Sequence, residues 1–163
     1  HYISDQRNLT IIRAYQNYFS NQDNVNHIGD MVIRDLSDRT TEYGGKIVNE
    51  GGYAKFVEVA PLHRKSNRSY ASSSDSTNVL GRFHLHAIQE DNSYSCGPSI
   101  GDKNGGDLWL LYNGVHSNPH LVDVVITSLT GKRFNVDAYC YDVHNGKVYD
   151  QPRVIDLGIY HYN

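Results

Sequence analysis

Cysteine is scarce in this chain of 163 residues, which contains only Cys96 and Cys140. Neither belongs to a C-x-x-C pair, and this argues against a dithiol redox motif and against a cysteine-based zinc site. One disulfide between the two residues and two free thiols both fit the sequence.

Basic clusters and long apolar runs are also missing. The chain has 15 Lys and Arg against 18 Asp and Glu, a net charge of −3, and no basic stripe, which argues against nucleic acid or an anionic membrane as a partner. The apolar run 121–126 is interrupted by Asp123 and falls far short of the roughly 18 residues of a membrane span. The first residue is His1 rather than Met, so we expect a processed product or an excised fragment. Its localisation, secretion included, stays open.

Hydrophobic periodicity predicts both helices and strands. Apolar residues recur at three- and four-residue steps over 6–19 and, less regularly, over 25–36, which indicates two amphipathic helices. A short helix is predicted over 107–112, ended by Asn113-Gly114. Alternating or short apolar runs bounded by turn residues predict six strands, at 46–48, 53–59, 79–86, 122–129, 133–141 and 147–155. Residues 64–78 are predicted to form a surface loop.

This order of elements predicts a single domain of the mixed α/β (α+β) class, an α/β/α sandwich around one mixed sheet. We expect the domain to cover residues 1–163. It would comprise N-terminal helices in 1–38, a core that carries the candidate motifs in 42–130, and closing strands in 131–163.

Two histidines two residues apart are the first candidate for chemistry. His84 and His86 lie on a predicted strand, whose two-residue period places both imidazoles on one face. Asp102 would add a carboxylate, and three protein ligands with an open fourth position are typical of a catalytic zinc site. Asp107 is the alternative carboxylate. The segment Pro98-Ser99-x-x-Asp102 is equally typical of a helix start capped by Ser99, and the two interpretations are compatible.

A zinc hydrolase also requires a base, and Glu42 is the best candidate. It directly precedes a predicted strand, and Gly44-Gly45 after it would allow another backbone to approach closely. By position alone, Glu50 in a hairpin turn and Glu58 within a strand are its alternatives.

Taken in order, Glu42-x-Gly44-Gly45, His84-x-His86 and Pro98-Ser99-x-x-Asp102 resemble the JAMM/MPN+ metalloproteases, also called JAB domains. The resemblance covers roughly residues 25–130 and looks closest to the bacterial JAB-like domains of secreted or polymorphic-toxin proteins. It implies a deaminase-like fold and Zn²⁺ held by His84, His86 and Asp102, with Glu42 as general acid/base and Ser99 stabilising the tetrahedral intermediate. Ser99 follows His86 by 13 positions, an interval longer than is usual in the family.

The function implied is a zinc-dependent hydrolase that cleaves a peptide or isopeptide bond through a metal-activated water. Its partner would be a peptide or protein substrate, with ubiquitin-like tails and peptidoglycan peptides both open. Two alternatives remain: a catalytically silent domain of the same fold that serves as a binding or scaffold module, and a cupin-like β-barrel. The predicted N-terminal helices argue against the barrel.

Overall fold

The computed structural model of the chain describes residues 6–38, 41–59, 62–63, 78–90, 96–99 and 106–163, and for 41–42, 62–63 and 87–90 it describes the backbone only. Within these ranges the elements are, in chain order, α1 (Gln6–Phe19), α2 (Gln22–Ser37), β1 (Thr41–Glu42), β2 (Gly44–Glu50), β3 (Tyr53–Glu58), β4 (Leu62–His63), β5 (Val79–Glu90), α3 (Asp107–Val115), β6 (Asp123–Leu129), β7 (Arg133–His144) and β8 (Lys147–His161).

Both N-terminal helices are confirmed. The second begins earlier than its apolar residues indicate, at Gln22, because the Asn21 side chain accepts a hydrogen bond of 2.9 Å from the Asp23 amide and caps the helix. Glycine is unfavourable within a helix, but packing requires a residue without a side chain at Gly29. A Cβ at this position would collide with the ring of Tyr162, so the glycine lets the C-terminal segment pack against α2.

The strands form a six-stranded sheet in the order β3-β2-β5-β6-β7-β8, beside a separate β1-β4 pair. In the six-stranded sheet β5 and β6 are parallel, whereas the other neighbouring pairs are antiparallel. The sheet is therefore mixed, and the predicted mixed α/β class is confirmed. The parallel pair requires a crossover connection, and α3 lies in that connection.

Helices cover both faces of the sheet. Helices α1 and α2 pack on one face, over a core that includes Phe56, Phe83 and Phe134. Helix α3 packs on the other face through Leu111 and Val115. We refer to these as the α1/α2 face and the α3 face. Because side chains alternate along a strand, each central strand contributes to both.

Some predicted boundaries are wrong. Helix α3 continues through Asn113-Gly114 to Val115, because Val115 is buried against the sheet and stabilises another turn. Strands β7 and β8 extend three and six residues beyond their predicted ends, to His144 and His161, because they pair along most of their length.

Other expectations concern cysteines, the loop and the membrane. Cys96 and Cys140 are not joined in a disulfide. The predicted loop 64–78 lies outside the described residues except for Asn78. Among the helices of the described ranges, none is long and apolar enough to span a bilayer.

Candidate metal centre

Strand β5 presents His84 and His86, the two predicted histidine ligands, on the α3 face. Phe83 and Leu85 point into the core under α1 and α2, so the intervening His84 and His86 point the opposite way. The two Nε2 atoms lie 3.1 Å apart. The prediction that the H-x-H pair shares one face is therefore confirmed.

Helix α3 brings a carboxylate to these histidines. Asp107 is the first residue of α3, and its Oδ2 lies 2.9 Å from Nε2 of His84 and 3.2 Å from Nε2 of His86. The chain leaves β5, enters α3 and returns in the parallel strand β6. The start of the helix is thus carried to the carboxyl-terminal half of β5, where ligand sites of α/β proteins commonly lie.

Ser99 fixes the position of this carboxylate. Its amide donates to Oδ2 of Asp107 at 2.8 Å, and its hydroxyl accepts from the Asp107 amide at 2.9 Å. Its carbonyl accepts a third bond, of 3.1 Å, from the Leu108 amide. The N-cap position itself is Gly106, which has no capping side chain. The Ser99 hydroxyl therefore satisfies the first amide of α3, which begins at Asp107. The predicted helix start at Ser99 itself runs into residues 100–105, which lie outside the described residues.

The site is buried and its carboxylate is strongly acidic. His84 is 4 % exposed and Asp107 is 3 % exposed. Burial opposes ionisation of Asp107, but the charge of His84 and the hydrogen bonds from His84, His86 and the Ser99 amide outweigh it. Together they hold the pKa of this carboxyl well below its usual range. The centre thus keeps a negative charge next to two imidazoles.

Three donor atoms that converge in this way could hold a metal ion. His84, His86 and Asp107 each offer one ligand atom, all within 4.8 Å of one another, and they are the one such group in the described part of the chain. Imidazole and carboxylate ligands suit several divalent metals.

No protein-family model, curated protein or solved structure matches this chain.

The structure leaves two of the predicted site residues without a described side chain. Asp102 lies outside the described residues. Glu42 is described in its backbone only, at the end of β1. Its neighbour Tyr43 accepts a 3.1 Å hydrogen bond from the Leu85 amide, and Gly44 is paired with His84. The backbone of Glu42 therefore lies beside the strand that carries the histidines.

Both alternatives to Glu42 are engaged elsewhere. Glu58 forms two hydrogen bonds, of 2.8 and 2.9 Å, with the Arg34 guanidinium of α2. Glu50 forms an exposed ion pair with Lys55 within the hairpin. The close approach expected at the two glycines is confirmed, because a Cβ on Gly44 would collide with the backbone of Phe83, and one on Gly45 with the Val57 carbonyl.

Sequence reasoning missed three polar residues on the same face: Thr127, Asn135 and Asp137, all buried. In the sequence these residues lie at alternating positions of strands β6 and β7, which are otherwise mainly apolar. Such alternation usually indicates a solvent-facing side of a strand, and only the packing of the α3 face shows that these residues are covered.

Proposed function

We propose that this chain is a zinc-dependent hydrolase of the JAMM type that cleaves a peptide or isopeptide bond. The observation that carries the proposal is the convergence of His84, His86 and Asp107 on one point of the α3 face. Two histidines and one carboxylate leave a fourth position open, which is typical of catalytic rather than structural zinc sites.

The spacing of the ligand atoms supports zinc. Bonds of about 2.0–2.1 Å in a tetrahedral site set ligand atoms roughly 3.3 Å apart. The three separations here are 2.9, 3.1 and 3.2 Å, so the side chains need to move by only a few tenths of an ångström. In this proposal Asp107 takes the place that the motif pattern gives to Asp102.

A bound zinc ion would act as a Lewis acid and lower the pKa of a water molecule in its open position. Glu42 would accept the proton of that water and pass it to the leaving amine, as a general acid/base.

Ser99 would have two roles in the reaction. Its hydroxyl oxygen already accepts the Asp107 amide, and this leaves the hydroxyl hydrogen free to donate to the substrate's carbonyl oxygen as negative charge develops there. Its own amide holds the Asp107 carboxylate in place.

A zinc titration against a competing chelator tests the ligand set. We expect about one zinc ion per chain in the wild type and its loss in His84→Ala and Asp107→Asn. Asp102→Asn should keep the metal, since Asp107 is the proposed ligand. His116→Ala is the matched histidine control, because His116 lies beyond α3 and is hydrogen-bonded to the Tyr112 carbonyl. Loss of zinc in Asp102→Asn with retention in Asp107→Asn would reject the proposed ligand.

The acid/base role requires a separate experiment on a panel of quenched peptides and lysine-linked isopeptides. Glu42→Gln should retain zinc and lose roughly 10²- to 10⁴-fold in rate. A rate within about threefold of wild type, with zinc bound, would reject the assignment of Glu42 as the general acid/base. A wild-type chain that binds zinc and cleaves none of the panel would favour the binding-module alternative.

A further inference from the structure

A second polar group lies on the α3 face, beside the proposed metal centre. It consists of Thr127 on β6 with Asn135 and Asp137 on β7, which are 2 %, 1 % and 6 % exposed. We call these three residues the acceptor row. The strand register connects the row to the centre, because His86 is paired with Thr127 and Thr127 with Asn135. Each step between neighbouring strands is about 4.8 Å, so the row ends about 10 Å from the histidines.

The hydrogen bonds of the acceptor row are incomplete. Asn135 donates through Nδ2 to Oδ2 of Asp137 at 2.8 Å, and this bond fixes the orientation of the amide. Oδ1 of Asn135 and Oγ1 of Thr127 are buried and have no hydrogen-bond partner among the residues that the structure describes. A buried polar atom without a partner costs about 1–3 kcal/mol. Such atoms in native proteins call for a bound water or ligand.

The available atoms determine which ligand would fit. Oδ1 of Asn135 and an ionised Asp137 only accept hydrogen bonds, so the ligand must be a donor. Asp137 is paired across the sheet with a second acid, Asp156, and no Lys or Arg in the described ranges forms an ion pair with it. A primary ammonium supplies three N–H donors together with a positive charge for the Asp137 carboxylate.

A short segment connects the acceptor row to the metal centre. A Cβ on Gly97 would lie 3.9 Å from Oδ2 of Asp137, and Ser99, two residues later, holds Asp107. The same stretch of backbone therefore borders both groups. The missing side chain at Gly97 leaves space directly beside the Asp137 carboxylate.

We propose that Thr127, Asn135 and Asp137 form a subsite for a primary ammonium group of the substrate. The inference rests on the proposed function, since it assigns a cationic group to the peptide substrate that the hydrolase would cleave. About 10 Å corresponds to about three extended residues. The substrate would therefore carry a lysine side chain within that distance of the cleaved bond.

Binding of a matched pair of small probes tests the subsite without hydrolysis. Nα-acetyl-lysine methylamide and Nα-acetyl-norleucine methylamide differ only in the ammonium group. Each is titrated into the full chain, with and without zinc, and binding is followed by NMR chemical shifts. We expect the lysine probe to bind at least about tenfold more tightly than the norleucine probe, because only its ammonium group can form an ion pair and hydrogen bonds with the subsite. Its binding should also shift the amide resonances of β6 and β7.

The variants separate the subsite from general effects of charge. Asp137→Asn should weaken the lysine probe by about tenfold or more and leave the norleucine probe unchanged. Asp150→Asn removes an equal charge from an exposed position of β8 and should leave both probes unchanged. Thr127→Val, which alters neither charge nor shape, should weaken only the lysine probe, and it serves as the second test if Asp137→Asn does not fold.

The outcomes distinguish this inference from the proposed function. Equal affinity for the two probes, or an Asp137→Asn variant that binds like the wild type, overturns the subsite. A selective lysine probe supports the subsite even in a chain that binds no zinc, in which case only the hydrolase fails. Peptide cleavage without selectivity for the lysine probe would reject the subsite alone.

Discussion

The two faces of the sheet are built from the same strands and differ in chemistry. On the α1/α2 face, Phe56 lies at the centre of an aromatic cluster, with ring centroids 4.4 to 5.7 Å from those of its neighbours, Tyr15, Tyr18, Phe19 and Phe83. Phe83 of this cluster lies on β5, and the same strand presents His84 and His86 on the α3 face. Apolar burial supplies most of the stability of a domain, so we expect one face to stabilise the fold while the other carries the site.

The largest expected effect is on stability and comes from the α1/α2 face. Phe56→Ala removes the centre of the aromatic cluster, at a residue that is 3 % exposed, and should lower the free energy of unfolding by about 3–5 kcal/mol. Urea denaturation measures the loss. Phe56→Leu, which keeps more of the volume, should lose less. Zinc affinity of the folded Phe56→Leu chain should equal that of the wild type, and a clear fall would contradict the division between the faces.

The next effect is a pH dependence that originates on the α3 face. Burial, followed by the charge of Asp156, raises the pKa of Asp137 to about 6. A carboxyl with a raised pKa favours the folded state when protonated. Its contribution is therefore complete below about pH 4, the unfolded value, and is lost as the pH rises through about 6.

Asp137→Asn should abolish the decrease in stability that the wild type shows as the pH rises. At pH 8 the metal-free variant should be more stable than the wild type by up to about 3 kcal/mol, with little difference at pH 4. Asp156→Asn should recover only part of the difference, because burial is the larger cause. Thermal unfolding at pH 4 and pH 8 measures the stability of both variants. If the difference in stability between wild type and Asp137→Asn is the same at both pH values, the charge of Asp137 does not destabilise the folded state.

A smaller effect should come from the residue that positions the carboxylate. Ser99→Ala keeps the amide bond to Asp107 and removes the hydroxyl that caps α3. We expect zinc affinity to fall about 10- to 100-fold and unfolding free energy to fall by about 1 kcal/mol. Ser117→Ala, at an exposed serine just beyond α3, is the control. Unchanged zinc affinity in Ser99→Ala would mean that the amide alone positions Asp107.

The smallest effect is expected where neither face is involved. Glu50 and Lys55 pair at 3.3 Å, with side chains that are 67 % and 57 % exposed. Glu50→Gln should change the unfolding free energy by less than about 0.5 kcal/mol, since solvent screens such pairs. A change above about 1 kcal/mol in urea denaturation would show that this hairpin is coupled to one of the faces.

Local pattern was sufficient for most elements of the fold. Helix α1 matches its predicted span, because its apolar residues repeat at helical steps and its last residues precede a polar break. The ends of α3 and β8 were missed, because Val115 and the residues up to His161 are held by partners distant in sequence.

The sequence by itself determined that His84 and His86 share a face, because a strand has a period of two. It did not determine whether Asp107, named only as the alternative to Asp102, meets them. Asp102 and Asp107 were both candidates, and the parallel pairing of β5 with β6 carries Asp107 to the histidines through the start of α3. Likewise, the burial of Thr127, Asn135 and Asp137 follows from the packing of one face of the sheet. These are contacts between residues far apart in the chain, and only the tertiary structure decides them.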